Sequence, residues 1–215
     1  MIIIFLILYL LFGGHSYHVA FFDNKPLAIH EFSLNNRYKN SYVNNVFKDN
    51  VLLAIKYTTG VKINPKSIDW NDVEAPFIYK MTLKPGEVFA FHDDVLPQYS
   101  GKVIKTTNAH FNFQEGFKSD GYLVGDGVCH LASLLYWVAT DAGLSVYAPT
   151  SHNFAQVPEV PKEFGVSIYN YPGRSSSNRL QNLYITNNKN RNIAFEFRFS
   201  GEYLKISALE SLSTS

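Results

Sequence analysis

Apolar residues recur at spacings of three and four in two segments of the chain, and this periodicity predicts two amphipathic helices. The first segment covers residues 42–59 and the second covers residues 128–142. Asn40 or Ser41 can cap the first helix, because both side chains accept hydrogen bonds from free backbone N–H groups. Gly60 can end it, since glycine adopts the left-handed conformation common after a helix. The second helix has the more continuous apolar stripe and is expected to be central.

Short apolar runs bounded by turn residues predict strands in much of the remaining chain. Residues 61–80 are expected to be irregular, because Pro65 and Pro76 interrupt them. A mostly antiparallel sheet with one or two main helices is an α+β fold. Neither a repeat nor a low-complexity linker divides the sequence, so residues 18–215 are expected to form a single domain. The predicted strands cover residues 18–22, 27–34, 88–91, 103–113, 144–147, 166–171, 183–186, 193–199 and 203–206.

The first residues of the chain form an uninterrupted apolar run over positions 2–12. A membrane-spanning helix needs about 20 such residues, whereas the apolar region of a secretory signal peptide is shorter. Residues 1–17 are therefore interpreted as a signal peptide or membrane anchor, although no basic residue precedes the run. A buried strand is the alternative. The signal interpretation predicts an extracytoplasmic protein of the cell envelope, with a possible membrane tether.

The composition excludes several classes of protein. Hydrophobic residues make up 46% and charged residues 17% of the chain, which excludes a disordered polymer or coiled coil. The net charge of +1 lacks the basic excess of a nucleic-acid-binding protein, so no nucleic-acid partner is expected. A single cysteine excludes an intrachain disulfide and a paired-cysteine zinc site. No cofactor motif is present, and we predict none.

The sole cysteine, Cys129, follows Gly125, Asp126 and Gly127 at the start of the second predicted helix. Helix-start N–H groups lack intrahelical acceptors and carry positive partial charge, so they would lower the pKa of a thiol there. The same groups could hold the oxyanion of an attacked carbonyl, and the glycines would admit a substrate to the backbone. The alternative is a small, buried apolar cysteine.

Three polar residues could assist such a nucleophile. His152 follows the short strand after the helix and is the candidate general base, with a structural histidine as the alternative. Ser133 lies one turn after Cys129 and could bond the sulfur or a substrate, or serve only tight packing. His130 points roughly 100° away from Cys129 around the helix and is expected either to support the site from behind or to lie at the surface.

A metal site is a further alternative. Cys129, His130 and His152 could combine with the run His92-Asp93-Asp94 as ligands. Neither an HExxH motif nor paired-cysteine spacing supports this arrangement, so no metal site is predicted.

Several short segments of the chain form an ordered set of motifs. They are PGEVFAF at residues 85–91, GY at 121–122, GDGVCH at 125–130, SLLY at 133–136, AGL at 142–144, SHN at 151–153 and the strand pair at 183–199. In this order they resemble the VanW-like family of bacterial cell-envelope proteins, whose patterns include PGE-x-FSFN and GGG-x-CQ. The upstream residues 32–59 resemble the family region with an R-x-x-N-I pattern. Asp126 replaces the middle glycine of the family pattern, His130 its glutamine and Leu134 a threonine.

The resemblance implies a cysteine L,D-transpeptidase that acts on peptidoglycan stem peptides through a thioester. It implies that Cys129 is the nucleophile and that His152 is base and acid. Oxyanion or substrate binding would then fall to Gly125, Gly127, His130, Ser133, Tyr122 and Asn153.

Two other functions remain open. A non-catalytic module could bind peptidoglycan or a glycopeptide-like ligand in a groove lined by Tyr122, Phe117, Tyr136 and Trp137, although these aromatics also suit an ordinary core. A small secreted protease of the Cys–His type is the third possibility.

Overall fold

The computed structural model describes residues 25–211. The apolar run at 2–12 and the predicted strand at 18–22 lie outside these residues. Among the described helices, none is both long and apolar enough to cross a bilayer. In chain order the elements are β1 (Lys25–Ser33), α1 (Ser41–Thr58), α2 (Trp70–Val73), β2 (Phe77–Leu83), β3 (Val88–Ala90), β4 (Val103–Lys105), α3 (Val128–Asp141), β5 (Ser145–Tyr147), α4 (Ser175–Asn178), β6 (Tyr184–Thr186), β7 (Ile193–Phe199) and β8 (Tyr203–Glu210).

The strands of residues 25–211 form two four-stranded sheets. The first has the order β1-β8-β7-β2, and all of its neighbours are antiparallel. Strand β7 buries alternate residues, as a strand with one face on the core must. The second sheet has the order β4-β3-β6-β5, with β3 and β4 parallel and the other pairs antiparallel. The predicted α+β class is confirmed, although the strands form two sheets rather than one.

Both predicted main helices are present, with the expected ends. The Asn40 side chain caps α1 by accepting hydrogen bonds from the N–H groups of Tyr42 and Val43. Gly60 follows α1 in the left-handed region at φ 80°. Helix α3 packs against β1 and β8 of the first sheet and against β5 of the second. It is therefore the element that joins both sheets in one core, and it begins at the predicted cysteine segment.

Three predicted segments differ from the structure. The irregular region 61–80 contains α2 and the first residues of β2. The predicted strand 103–113 ends at Lys105, and the positive φ angles of Asn108 and Phe111 turn the chain out of an extended course. Residues 166–171 form a single bridge, from Val166 to Ser151, rather than a strand. The backbone N–H groups of Val166 and Ile168 donate to side chains of α3 instead of a neighbouring strand.

Candidate active site

Cys129 is the second residue of α3, and Gly127 occupies the cap position with φ 103° and ψ −22°. A Cβ atom at Gly127 would lie 2.7 Å from the backbone oxygen of Phe47 in α1. One at Gly125 would lie 2.9 Å from Phe111 Cβ. Both distances are shorter than carbon atoms normally tolerate. Both glycines are therefore required by the packing of the chain around the helix start.

The Cys129 sulfur forms hydrogen bonds with the backbone of Ile168. Its Sγ accepts a hydrogen bond from Ile168 N at 3.3 Å and donates toward Ile168 O at 3.5 Å. The residue is half-buried, and it packs against the hydrophobic core. Burial raises the pKa of the thiol from the ordinary 9.0 to about 11, and the Asp126 charge raises it further while the Ile168 bond opposes the rise. The predicted lowering of this pKa is wrong, because loss of hydration outweighs the helix start.

Ser133 lies on the same face of α3 as Cys129. It also contacts the stretch of chain that contains Ile168, the extended segment of residues 165–168. Its hydroxyl donates to the carbonyl of Cys129 at 2.7 Å and accepts from Val166 N at 2.9 Å. Thus Ser133 and Cys129 together bond the N–H groups of Val166 and Ile168, two residues apart on the segment. These bonds hold the segment along the first turns of α3. Ser133 is fully buried, and its hydroxyl contacts backbone rather than the thiol.

The other edge of this segment forms backbone hydrogen bonds with the residues around His152. The N–H group of His152 donates to Gly165 O at 3.0 Å, and Ser167 N donates to Thr150 O at 2.9 Å. The segment therefore lies between α3 and the backbone of residues 150–152. A Cβ atom at Gly165 would lie 3.3 Å from His152 Cβ, so this glycine leaves room for the imidazole.

His152 is buried, with 7% of its surface exposed. Its Nδ1 lies 2.7 Å from the carbonyl oxygen of Ala155. A carbonyl only accepts, so Nδ1 carries a hydrogen, and in the neutral ring Nε2 is an unprotonated acceptor. The ring also packs against exposed Phe154, with the centroids 3.9 Å apart. Among the described residues, no hydrogen bond joins His152 to the Cys129 sulfur.

His130 is buried beside the helix start, between His152 and two residues that precede α1. Its Nδ1 lies 3.1 Å from Arg37 Nε, and its Nε2 lies 3.4 Å from the Tyr38 hydroxyl. The His152 ring meets the His130 ring edge-on, with the centroids 6.3 Å apart. Burial, then the Arg37 charge and then His152, hold the pKa of His130 well below its ordinary value. His130 is therefore a neutral part of a polar cluster.

Arg37 anchors this cluster and is not among the site residues predicted from the sequence. Its guanidinium donates to Ser33 O at 3.1 Å and Pro158 O at 3.0 Å, and it pairs with Glu159 at 3.5 Å. Burial lowers the pKa of Arg37 to about 10. The R-x-x-N spacing from Arg37 to Asn40 could have identified it, because the resemblance includes that pattern.

Asp126 introduces a negative charge near the sulfur. Its carboxylate accepts from Asp120 N at 3.0 Å. Burial raises the pKa of Asp126 to about 6, and the nearby Asp120 charge adds to the rise. This carboxyl group is therefore mostly ionised above neutral pH.

The remaining predicted site residues lie at the surface. Tyr122 is 91% exposed, and Asn153 is exposed next to His152. Their roles toward a substrate stay predictions.

The predicted aromatic groove is divided in the structure. Phe117 is a core residue, packed against Tyr57 and Phe111. Tyr136 and Trp137 instead pack against Phe164. Phe117 and the exposed Tyr122 therefore do not share one buried lining.

The candidate metal ligands are not assembled. Within residues 25–211, no group of three His, Cys, Asp or Glu side chains is arranged to hold an ion. His92 is buried in a separate place, where its Nε2 lies 3.0 Å from Gln181 O.

A family model described as VanW like protein matches residues 72–209. The matched range contains Cys129, His152 and the extended segment that lies between them in the fold. It begins after Arg37 and α1. No curated protein and no solved structure matches the chain. The family match covers more than half of the 215 residues.

Proposed function

Because the chain belongs to the VanW-like family, we propose that it is a cysteine L,D-transpeptidase acting on peptidoglycan stem peptides. The hydrogen bond from His152 Nδ1 to the Ala155 carbonyl is the observation that carries the proposal. It fixes the tautomer that leaves Nε2 free to accept a proton. A backbone carbonyl thus takes the part of the third group that orients a catalytic histidine.

The first half of the proposed reaction forms a thioester. The Cys129 thiol gives its proton to His152 Nε2, and the sulfur bonds the carbonyl carbon of the third stem residue. The resulting tetrahedral intermediate breaks its C–N bond. The terminal D-Ala then leaves as an amine that takes the proton back from His152.

The second half transfers the acyl group. An amine of another stem peptide attacks the thioester carbon and loses a proton to His152. The C–S bond breaks, and the sulfur regains the proton. The net change is the exchange of one amide for another, with no cofactor consumed.

The raised pKa of Cys129 constrains this mechanism. A thiol with a pKa of about 11 is almost entirely protonated at neutral pH, so the enzyme holds little thiolate before substrate binds. Proton transfer must therefore accompany attack on the carbonyl. It requires movement that brings the thiol and His152 together, because they are not hydrogen bonded in this conformation.

Acyl-enzyme formation tests the proposal directly. The full chain is incubated with a stem tetrapeptide or with a carbapenem, whose β-lactam carbonyl is attacked in the same way, and its intact mass is followed. We expect one adduct on the wild type and none on Cys129→Ala, with slower formation in His152→Gln. Circular dichroism checks that each variant is folded. Equal labelling of Cys129→Ala would refute the proposal.

A non-catalytic module that binds peptidoglycan is the second candidate. The bonds between the Cys129 sulfur and Ile168, together with the raised thiol pKa, favour it. Cosedimentation with purified peptidoglycan that is unchanged in Cys129→Ala, without turnover, would support this function over catalysis.

An extracytoplasmic location is part of both proposals. Its support is the general association of VanW-like proteins with the cell envelope. The mass of the mature N-terminus, measured after expression in a secreting bacterial host, tests whether residues 1–17 are removed.

A further inference from the structure

We propose that Tyr38 is a further catalytic residue, whose hydroxyl donates a hydrogen bond to the oxygen of the carbonyl attacked by Cys129. The proposal rests on the cysteine acyltransferase function proposed above. It assigns Arg37 and His130 as positioning residues that set the direction of the Tyr38 hydroxyl.

The direction of this hydrogen-bond chain follows from Arg37. A guanidinium has donors and no acceptor, so the 3.1 Å contact from Arg37 Nε requires an unprotonated His130 Nδ1. The neutral His130 ring must then carry its hydrogen on Nε2. That atom faces the Tyr38 oxygen at 3.4 Å, so His130 donates and Tyr38 accepts.

The hydroxyl hydrogen of Tyr38 consequently points elsewhere. Within the described part of the chain, His130 is the one group hydrogen bonded to the Tyr38 oxygen, so the phenol hydrogen has no acceptor there. Burial raises the pKa of Tyr38, and therefore the phenol keeps this hydrogen at neutral pH. The Tyr38 hydroxyl therefore keeps a hydrogen that it can donate to a substrate.

Tyr38 is also held next to the helix start. Its ring packs against Phe47 with the centroids 4.7 Å apart, and Phe47 is the residue whose backbone contacts Gly127. The ring lies nearly parallel to that of His130, the residue after Cys129, at 6.2 Å. Tyr38 therefore lies against the first turn of α3, which contains Cys129.

The proposed step needs no additional reactant. When Sγ bonds the carbonyl carbon, one electron pair of the C=O bond moves to oxygen, and Tyr38 stabilises that charge without giving up its proton. When the intermediate collapses, the pair returns to the C=O bond. A donor from outside α3 matters at this site, because the N–H groups of Val128 and His130 already donate to Gly125 O and Gly127 O.

Tyr38→Phe removes only the hydroxyl and keeps the ring that packs on Phe47. Tyr42→Phe is the matched control, because that hydroxyl bonds the backbone oxygen of Ser119 at 3.1 Å, away from His130. Each full-length variant is compared with the wild type in two reactions of Cys129. Acylation by a carbapenem forms an oxyanion, whereas alkylation by iodoacetamide displaces iodide and forms none.

We expect Tyr38→Phe to slow acylation by about 100-fold, the effect of losing one oxyanion donor. Alkylation should stay within about twofold of the wild type, and Tyr42→Phe should leave both rates unchanged. A parallel loss of both reactions would overturn the proposal, because it would show a general effect on the sulfur or the fold. An unchanged acylation rate would overturn it as well. A wild-type chain that is never acylated removes the proposed function, and with it the role of Tyr38.

Discussion

Gly121 and Gly127, at the two ends of the loop that leads into α3, allow the packing of the helix start to be measured. Gly127 and Gly121 both have strongly positive φ angles, 103° and 113°. A Cβ atom at Gly127 would lie 2.7 Å from Phe47 O and 3.1 Å from Phe47 Cα, whereas at Gly121 it would meet nothing within 4 Å. Alanine substitutions at these positions share the backbone strain and differ in the steric contact.

The left-handed backbone costs an alanine about 1–2 kcal/mol at either position. The overlap with Phe47 adds about 1–3 kcal/mol at Gly127, because backbone atoms cannot rotate away as a side chain can. For a domain of this size, the extra loss lowers the melting temperature of Gly127→Ala by about 2–12 °C relative to Gly121→Ala.

Thermal unfolding followed by circular dichroism, with urea unfolding as a second measure, compares the two variants with the wild type. Equal melting temperatures for Gly127→Ala and Gly121→Ala would refute the packing argument. That result would return Gly127 to the role expected from the sequence, which was to admit a substrate to the backbone.

Three further predictions concern the sulfur and its neighbours. Iodoacetamide alkylation of Cys129 should rise about tenfold per pH unit toward a midpoint near 11, and a midpoint below 9 would contradict the dominance of burial. Asp126→Asn should lower the pKa of the Cys129 thiol and speed its alkylation about threefold at pH 8, where Asp126 is ionised. At pH 5 Asp126 is mostly protonated, so the variant and the wild type should react at similar rates. Slower alkylation of the variant at pH 8 would contradict the predicted effect of the Asp126 charge. Ser133→Ala should lower the free energy of unfolding by about 1–3 kcal/mol in urea titrations, because it leaves the buried Val166 N–H without an acceptor; a loss below about 0.5 kcal/mol would contradict that.

The polar cluster around Cys129 could be predicted from the sequence only in part. The R-x-x-N spacing could have pointed to Arg37, but nothing in that pattern connects Arg37 with His130, 93 positions further along the chain. The connection depends on how α1 packs against α3. That packing is set by contacts such as Phe47 against Gly127, which no local pattern specifies.

The strand prediction for residues 166–171 failed for a related reason. The segment has the apolar, β-branched composition of a strand, and its backbone runs between two partners as a strand would. One of those partners is a helix that offers Ser133 Oγ and Cys129 Sγ instead of a ladder of carbonyl groups. Composition describes the segment, whereas the identity of its neighbour decides its hydrogen bonds.

The sequence alone determined the two main helices, their ends and the position of Cys129 in the first turn of α3. Capping and helical periodicity act between residues a few positions apart, so the printed order of residues contains that information. The tertiary structure decided the state of the sulfur, the tautomers of His130 and His152, and the unused donor on Tyr38. These properties depend on burial and on partners contributed by distant segments, and only the folded chain brings those groups together.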